Sequence, residues 1–247
     1  MSGGASGAAG AAVPVIRRPE QTQARPLAPG VTVTDMLDDR HGCRGLHQRR
    51  LRFAGPATTT DLSGVAAGQG ESWYVIRGSG VLDTRVSGTV RLQPGMAVWM
   101  RTSLPYRCRA RHGEDLEVLA VSVRAESPGA DEPPALLVAN LAECEPERTG
   151  DREFRVLLSS GLPMTQFAGL IPPGRAPAHQ HAYDEVVHVL AGRGVAHLAG
   201  GDIEIGPGTS IYLPPCQPHC LENTGQDLLE VLGVFHPAGS PAAKQAT

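Results

Sequence analysis

Short apolar runs, broken by glycine and proline, make up most of the chain. The stretches SWYVIRGSGVLDT (72–84) and EVVHVLAGRGVAHLAGGDIEI (185–205) each predict a strand, a tight glycine turn and a second strand. LEVLAVSVR (116–124) and LLEVLGVFHP (228–237) each predict a buried strand that closes a sheet. No window sustains the apolar period of about 3.6 residues that a helix requires. The pattern therefore predicts an all-β protein.

The pattern also repeats. Glu71 and Gly78 in the first half stand in the same relation as Glu185 and Gly192 in the second, at an offset of 114 positions. An offset of this size predicts that a whole fold unit occurs twice. Antiparallel strands that close on themselves form a double-sheet jelly roll or a small barrel, and either has an interior pocket. We therefore expect two tandem barrels of the jelly-roll or small-barrel type.

Composition divides the chain into five parts. Residues 1–28 are rich in Gly, Ala, Ser, Pro and Gln and are predicted to be a disordered tail, and residues 238–247 a flexible one. The first barrel is predicted over 29–125 and the second over 153–237. The acidic, proline-rich segment 126–152 is predicted to be a linker with room for one short helical segment.

Charge and cysteine content narrow the class of protein. The chain has 22 basic and 25 acidic residues, so its charge is nearly balanced. This composition indicates neither the basic surface of a nucleic-acid-binding protein nor a polybasic membrane anchor. No apolar segment approaches the ~20 residues of a membrane-spanning helix. The five cysteines follow no signal peptide, so we expect reduced thiols in a cytoplasmic protein. A small-molecule substrate is the expected partner, and a homodimer is compatible with jelly-roll edges that pair.

One stretch, APAHQHAYDEVVHVL (176–190), concentrates metal-ligand side chains. On a strand, His179 and His181 point to the same face, and a short turn lets Glu185 return to that side. A fourth ligand has to come from an opposing strand, where His219 is available. Imidazole nitrogens and a carboxylate oxygen suit divalent first-row metals. Four such ligands around an octahedral ion leave two adjacent positions for substrate, water or dioxygen.

These residues resemble the two sequence motifs of the cupin superfamily. The first motif corresponds to Gly174, His179, His181, Glu185 and Gly192, with one residue fewer than usual after the first glycine. The second corresponds to Gly208, Pro214, Cys216, His219 and Asn223, with cysteine where glycine is usual. The resemblance covers about residues 160–237. It implies that His179, His181, Glu185 and His219 bind one divalent transition metal (Fe, Mn, Zn, Ni, Co or Cu).

The first half resembles a cupin that has lost its metal. The positions of the two motif histidines hold Val65 and Ala67, the proline position holds Arg101, and the second-motif histidine position holds Tyr106. A metal-free N-terminal cupin followed by a metal-bearing one is similar in architecture to the ureidoglycine aminohydrolases. Those enzymes have glutamate and glutamine among their ligands, whereas this chain has histidines.

Other chemistry-bearing residues receive weaker predictions. Tyr212 and Arg175 are candidate catalytic residues, the first as a pocket-lining phenol and the second as a partner for an anionic substrate. His188 falls on the opposite strand face from the ligands and is expected to pack or face solvent. The remaining residues of this kind are interpreted as ordinary structural positions: Glu71, His197, His236, Cys216 and Cys220.

Three classes of function remain open. The first is an enzyme acting on a small oxygen-rich metabolite, either a dioxygenase or a Lewis-acid isomerase, cyclase or lyase. The second is a hydrolase similar to the ureidoglycine aminohydrolases. The third is a non-catalytic cupin that binds a small metabolite. The complete ligand set favours an enzyme.

Overall fold

The computed structural model describes residues 13–43, 45–55, 70–84, 88–101, 105–123 and 133–243. The first half contributes strands β1 to β11: Val15–Arg17, Ala24–Ala28, Val31–Leu37, Leu46–Phe53, Gly70–Arg77, Gly80–Thr84, Gly88–Leu92, Met96–Arg101, Tyr106–Ala110, Leu116–Val123 and Leu136–Asn140. The second half contributes β12 to β21: Glu147–Thr149, Arg152–Leu158, Thr165–Ile171, Gly174–Arg175, Asp184–Ala191, Gly194–Leu198, Gly201–Ile205, Ser210–Leu213, His219–Asn223 and Leu229–His236. The predicted all-β class is confirmed.

Helical structure in these ranges is confined to three short 3-10 turns at Pro19–Gln21, Asp39–His41 and Leu141–Glu143. The last of these lies inside the predicted linker, at the place of its expected helical segment. None of the helices in the described ranges has the length and apolar character needed to cross a lipid bilayer.

Each half forms a barrel from one large and one small sheet. In the first half, the large sheet has the order β11-β8-β5-β10-β4-β3-β2 and the small sheet the order β7-β6-β9. In the second half, the orders are β1-β19-β16-β21-β14-β13-β12 and β15-β20-β17-β18. The central strand pairs match: β5 between β8 and β10 corresponds to β16 between β19 and β21. The predicted internal repeat and the two tandem jelly rolls are confirmed.

Glycine fixes the hairpin turns of the repeat. Gly192, between β16 and β17, has a φ of +85°, a left-handed conformation that side chains with a Cβ rarely adopt. A Cβ at Gly192 would lie 2.6 Å from the carbonyl oxygen of Leu228, so the position has no room for one. The motif glycine is therefore explained by backbone geometry.

Segments that flank the predicted barrels provide edge strands to the large sheets. β1 pairs antiparallel with β19 of the second barrel, with Val15 opposite Tyr212. β11 pairs with β8 of the first barrel, with Val138 opposite Val98. Segments from outside each barrel thus cover an edge of its large sheet, which removes unpaired backbone groups from that edge.

These pairings correct the predicted tails and linker. Residues 13–28 were expected to be disordered, yet they contain β1, a 3-10 turn and β2. That prediction was wrong for them, because backbone pairing with distant strands orders a segment that has no local pattern. Residues 1–12 lie outside the described part. The linker likewise contributes β11 and β12, whereas the barrel boundaries at 29–125 and 153–237 stay predictions.

Separate apolar clusters fill the barrels and the contact between them. Val31, Phe53 and Trp73 belong to the interior of the first barrel, and Val187 and Leu213 to that of the second. A third cluster lies between the large sheets. Its buried members include, from the first half, Leu37, Tyr74, Trp99, Leu119 and Val121, and from the second half, Met164, Ala168, Val186, Tyr212 and Val234. The barrels therefore pack through the outer faces of their large sheets.

Candidate metal centre

His179 and His219 are brought together by the backbone. The amide of His179 donates to the His219 carbonyl at 3.0 Å, and the amide of His219 donates back to the His179 carbonyl at 2.9 Å. This isolated antiparallel bridge places the two imidazole rings side by side, with centroids 4.4 Å apart. Two residues that are 40 positions apart in the sequence thus share one face of the barrel interior.

His181 completes a group of three imidazoles. Its ring centroid lies 4.9 Å from that of His179 and 5.5 Å from that of His219. One nitrogen from each of the three rings lies within 4.8 Å of the other two. Three imidazoles at this separation can hold a metal ion.

Glu185 points into the same space from β16. Its Oε2 lies 3.8 Å from Nε2 of His181 and 3.6 Å from Nε2 of His219. The carboxyl group is buried, and Oε2 has no hydrogen-bond partner among the described residues. Burial raises the pKa of Glu185 to about 8. An unpaired carboxylate in such a place is costly unless a cation lies beside it, so the donor set fits a divalent ion.

Backbone carbonyls fix two of the imidazoles. Nδ1 of His219 lies 2.9 Å from the Gln217 carbonyl oxygen, and Nδ1 of His181 lies 3.0 Å from that of Ala243. A carbonyl can only accept, so each Nδ1 carries the proton and each Nε2 presents a lone pair towards Glu185. Burial lowers the pKa of His219, which favours the neutral form that a metal requires.

The four residues lie on the wall of one cavity, which is partly open to solvent. Most of the remaining wall is apolar and comes from strands β13, β14, β16, β19, β20 and β21. Its larger apolar side chains are Phe154, Phe167, Ile171, Val187, Leu213, Leu221, Val231 and Phe235. A few polar residues (Thr149, Arg152 and Glu153) interrupt this wall.

Arg152 is a cavity residue that the sequence analysis missed. It begins β13, and its guanidinium donates to the Leu221 carbonyl. Among the described residues it forms no ion pair with a carboxylate, whereas Glu153 pairs with Arg155 at 3.3 Å and Arg148 at 3.5 Å. Burial lowers the pKa of Arg152. The sequence did hold a signal for this position. Phe154 is apolar and lies two positions further along the strand, and alternate residues share a strand face, so Arg152 could have been placed on the interior face.

Neither candidate catalytic residue lies on the cavity wall. Tyr212 is buried on the other face of the sheet, opposite Val186 in the register with β16, and its hydroxyl donates to Asp184. Arg175 is exposed on β15 and is opposite Glu222. Tyr212 therefore belongs to the contact between the barrels, and Arg175 is an exposed residue outside the cavity lining, so neither position supports the catalytic role predicted for it.

The other histidines have structural surroundings. His188 is fully buried on the barrel-contact side of β16, where its Nδ1 lies 2.9 Å from the Ser210 hydroxyl. Burial, with a smaller contribution from Arg50, lowers the pKa of His188 to about 3. His197 lies between Asp202 and Glu222, each at 2.7 Å, and Nδ1 of His236 lies 2.9 Å from the Pro163 carbonyl. The packing role predicted for His188 is confirmed.

The two cysteines beside His219 differ from each other. Cys220 is buried and its thiol donates to the Ala176 carbonyl. Cys216 is exposed and has a φ of 60°, in the left-handed region. This is the position where the cupin motif usually has glycine, and a side chain there costs about 1–2 kcal/mol. Neither cysteine belongs to the group of imidazoles.

The corresponding place in the first barrel holds an ion pair. Glu71 accepts from the buried guanidinium of Arg49 on β4, and also from Nε1 of Trp73 at 2.5 Å. Tyr106, at the motif-histidine position, packs edge-on against Trp73 with centroids 5.4 Å apart. Glu71 is therefore a paired buried carboxylate and not an ordinary strand residue. Val65 and Ala67 lie outside the described residues.

Comparison with known proteins decides the family. The cupin domain family model matches residues 168–235. The oxalate-binding protein of Thermotoga maritima is 32% identical over 112 residues, which span 40% of this chain and 93% of that protein. The chain belongs to the cupin family. An uncharacterised Methanocaldococcus jannaschii protein is 32% identical over 79 residues, and the match spans 31% of this cupin and 63% of the length of that relative.

Solved structures share the fold of the whole cupin. A putative glyoxylate-induced protein from Pseudomonas aeruginosa superposes with a TM-score of 0.78 at 15% identity, covering 100% of this chain and 96% of the other. Bacillus subtilis oxalate decarboxylase, described with Mn(II) centres, superposes with a TM-score of 0.73 at 15% identity, covering 94% of this chain and 78% of the other. At this identity the likeness shows the fold alone.

Proposed function

We propose that this cupin is a metal-dependent enzyme that acts on a small carboxylate-bearing metabolite. One divalent transition-metal ion would be held by His179, His181, Glu185 and His219. The observation that carries the proposal is the buried Oε2 of Glu185, which has no hydrogen-bond partner in the described part of the chain and lies within 4 Å of two imidazole Nε2 atoms. A cation among these atoms would compensate the carboxylate and use the nitrogen lone pairs.

The cavity wall supports a small anionic ligand. Arg152 supplies a positive charge that forms no salt bridge within the described residues, although Asp151 interacts with it electrostatically, and a ligand carboxylate would pair with it by charge-assisted hydrogen bonds. The aromatic rings of Phe154, Phe167 and Phe235 line the same space, and a bound ligand would displace water from it. Exclusion of water strengthens the charge interactions of Arg152 and Glu185.

A bound metal ion would supply one of two chemistries: polarisation of a substrate oxygen as a Lewis acid, or redox activation of dioxygen beside the substrate. The names of relatives favour a carboxylate as ligand, because the Thermotoga protein is named an oxalate-binding protein. The Mn(II) centres of the Bacillus oxalate decarboxylase make manganese the first metal to test. Oxalate is accordingly the first ligand to test.

The deciding experiment measures oxalate binding to the Mn(II)-loaded protein by calorimetry. We expect Arg152→Gln to weaken oxalate binding by about 10- to 100-fold, because a hydrogen bond to a charged group contributes about 1.5–3 kcal/mol. Metal content should stay that of the unsubstituted protein, since Arg152 is not one of the four ligands.

Arg175→Gln is the matched control, because Arg175 is an arginine of the same barrel but exposed to solvent. It should bind oxalate within twofold of the unsubstituted protein. Equal binding by Arg152→Gln would contradict the role of Arg152. Oxalate binding that is unchanged after metal removal would contradict the metal-dependent function itself.

Reaction class is separated by assays with and without oxygen. Turnover of small carboxylates that persists under strict anaerobiosis excludes a dioxygenase and favours a Lewis-acid isomerase, cyclase or lyase. Loss of turnover without oxygen favours the dioxygenase. Release of ammonia from an amide or ureido substrate would instead support a hydrolase similar to the ureidoglycine aminohydrolases. Tight, metal-dependent binding without turnover of any of these substrates would support the non-catalytic cupin.

A further inference from the structure

Residues 239–243, here called the closing segment, lie against the candidate metal centre. The sequence analysis assigned them to a flexible tail, and the structure corrects this. The amide of Gly239 donates to the Thr165 hydroxyl at 3.2 Å, and the Ser240 carbonyl accepts from the Tyr183 hydroxyl at 2.8 Å. Pro241 is part of the cavity wall. The closing segment is thus attached to the barrel at two points and covers part of the cavity.

The segment also forms a turn of its own. The amide of Ala243 donates to the Ser240 carbonyl at 3.0 Å, and the amide of Ala242 donates to the Ser240 hydroxyl at 3.2 Å. This turn directs the Ala243 carbonyl back towards the barrel, where it accepts from Nδ1 of His181 at 3.0 Å. A single turn thereby connects the anchor at Tyr183 to a ligand imidazole.

Tyr183 links the segment to the same imidazole from the other side. Its ring stacks on that of His181, with centroids 5.2 Å apart and planes 12° apart, while its hydroxyl donates to Ser240. His181 is therefore held by ring contacts from Tyr183 and Phe235 and by a hydrogen bond to Ala243. The hydrogen bond depends on the position of the closing segment, which the Tyr183 hydroxyl anchors.

We infer that the closing segment is a positioning element of the metal centre, which fixes the tautomer and ring orientation of His181 through the Ala243 carbonyl. With Nδ1 protonated, Nε2 is left with its lone pair facing Glu185 and His219. Partners of this kind typically change metal affinity by 10- to 100-fold when they are lost. The inference rests on the metal centre proposed above and concerns how that centre is built.

Gly239→Ala tests the inference. A Cβ at Gly239 would lie 2.4 Å from Cε1 of Tyr183, so alanine must displace the segment or the tyrosine ring. We expect the affinity of the full-length protein for Mn(II) or Co(II), measured by competition with a chelator and without substrate, to fall about 10- to 100-fold. The visible absorption of bound Co(II) should change as the ring of His181 loses its fixed orientation.

The matched control is Gly200→Ala, because a Cβ at Gly200 meets no atom of the described residues within 4 Å. Its metal affinity should stay within twofold of the unsubstituted protein. Tyr183→Phe is the second test variant, since it keeps the stacked ring and removes only the hydroxyl that anchors Ser240. We expect it to weaken metal binding several-fold, less than Gly239→Ala.

The outcomes separate the possibilities. If the unsubstituted protein binds metal and both test variants bind it as tightly as Gly200→Ala, the closing segment is not a positioning element, although the metal centre stands. A lower unfolding midpoint of the metal-free protein with unchanged metal affinity would show a merely structural role. If Gly239→Ala does not fold, Tyr183→Phe decides. If the unsubstituted protein binds no metal, the metal centre and this inference both fail.

Discussion

The two barrels place a glutamate at the same point of the repeat and compensate its burial differently. In the first barrel, Glu71 pairs with the guanidinium of Arg49 and with the indole of Trp73. In the second, Glu185 faces His181 and His219, and its Oε2 has no hydrogen-bond partner within the described ranges. In the first barrel the compensating cation is Arg49, a residue of the chain itself. In the second barrel the donor set is that of a site that a metal ion from solution would complete.

The residues around the two glutamates also differ: those around Glu71 are closely packed, whereas those around Glu185 face a cavity. Tyr106 and Trp73 pack against each other beside Glu71 and belong to the apolar cluster of the first barrel. Around Glu185, three imidazoles face a cavity in place of such packing. The same strand framework thus supports either a closed ion pair or an open site. The difference is made by the few side chains that face the glutamate.

The largest effect should follow from removal of a ligand in the second barrel. We expect His219→Ala to abolish binding of divalent metal, because it removes one of four donors and leaves Glu185 with one imidazole fewer. His179→Ala should do the same. Metal analysis of protein purified without chelator should find about one ion per chain before substitution and essentially none after it.

His188→Ala is the control for both variants, since it removes a buried imidazole from the other face of β16 and not from the cavity. It should keep the metal. Retention of metal by His179→Ala together with its loss from His188→Ala would mean that the strand faces are assigned the wrong way round.

A smaller effect, on stability alone, is expected from breaking the ion pair of the first barrel. Arg49→Met leaves Glu71 buried without its cation and should lower the free energy of unfolding by about 3–5 kcal/mol. Denaturant titration measures the loss. Metal content should not change, because the pair lies in the other barrel.

Arg49→Met combined with Glu71→Gln tests whether the charge is the cause. The double variant no longer buries an unpaired carboxylate, so it should recover part of the lost stability. If Arg49→Met is as stable as the unsubstituted protein, Glu71 does not depend on an internal cation. The contrast between the barrels would then be lost.

The smallest effect concerns His188, a histidine at the barrel contact that is buried in its neutral form. Its pKa is about 3 in the folded protein, below the ordinary value of 6.5, so between these values the unfolded chain binds the extra proton. The contribution of His188 to stability is therefore largest above about pH 6.5 and falls as the pH is lowered. At pH 5 we expect a loss of about 2 kcal/mol attributable to this residue.

The measurement compares denaturant titrations of the metal-free protein at pH 7 and pH 5. His188→Gln keeps a polar side chain at the position of the hydrogen bond to Ser210. We expect this variant to be less stable at pH 7 and to lose most of the pH dependence that His188 causes. An unchanged pH dependence in His188→Gln would assign the effect to other titrating groups.

Much of the fold and of the candidate site could be predicted from local spacing. Alternation along strands and glycine at turns specify the all-β class, and the offset between Glu71 and Glu185 specifies the repeat. His179, His181 and His219, which the structure groups, were each predicted from motif spacing. These features follow from short-range geometry, because residues two apart on a strand share a face and a left-handed turn requires glycine.

Contacts between distant segments could not be predicted in the same way. Tyr212 was assigned to the pocket, but the register of β19 with β16 turns it towards the barrel contact. Arg152 and Arg49 reach their sites from strands far from the motifs, and no spacing rule connects them to Glu185 or Glu71. The tails were judged by composition alone, which carries no information about the strands they pair with.

The sequence by itself determined the strands from local pattern, the duplication from the repeated spacing, and the identity of the candidate ligands from their resemblance to the two cupin motifs. The tertiary structure alone decided which cation compensates each glutamate, where the pocket charge of Arg152 lies, and that the closing segment holds His181. The physical reason is that burial, charge pairing and hydrogen bonding depend on which segments meet in space, and pairing across two barrels is not encoded in any local pattern.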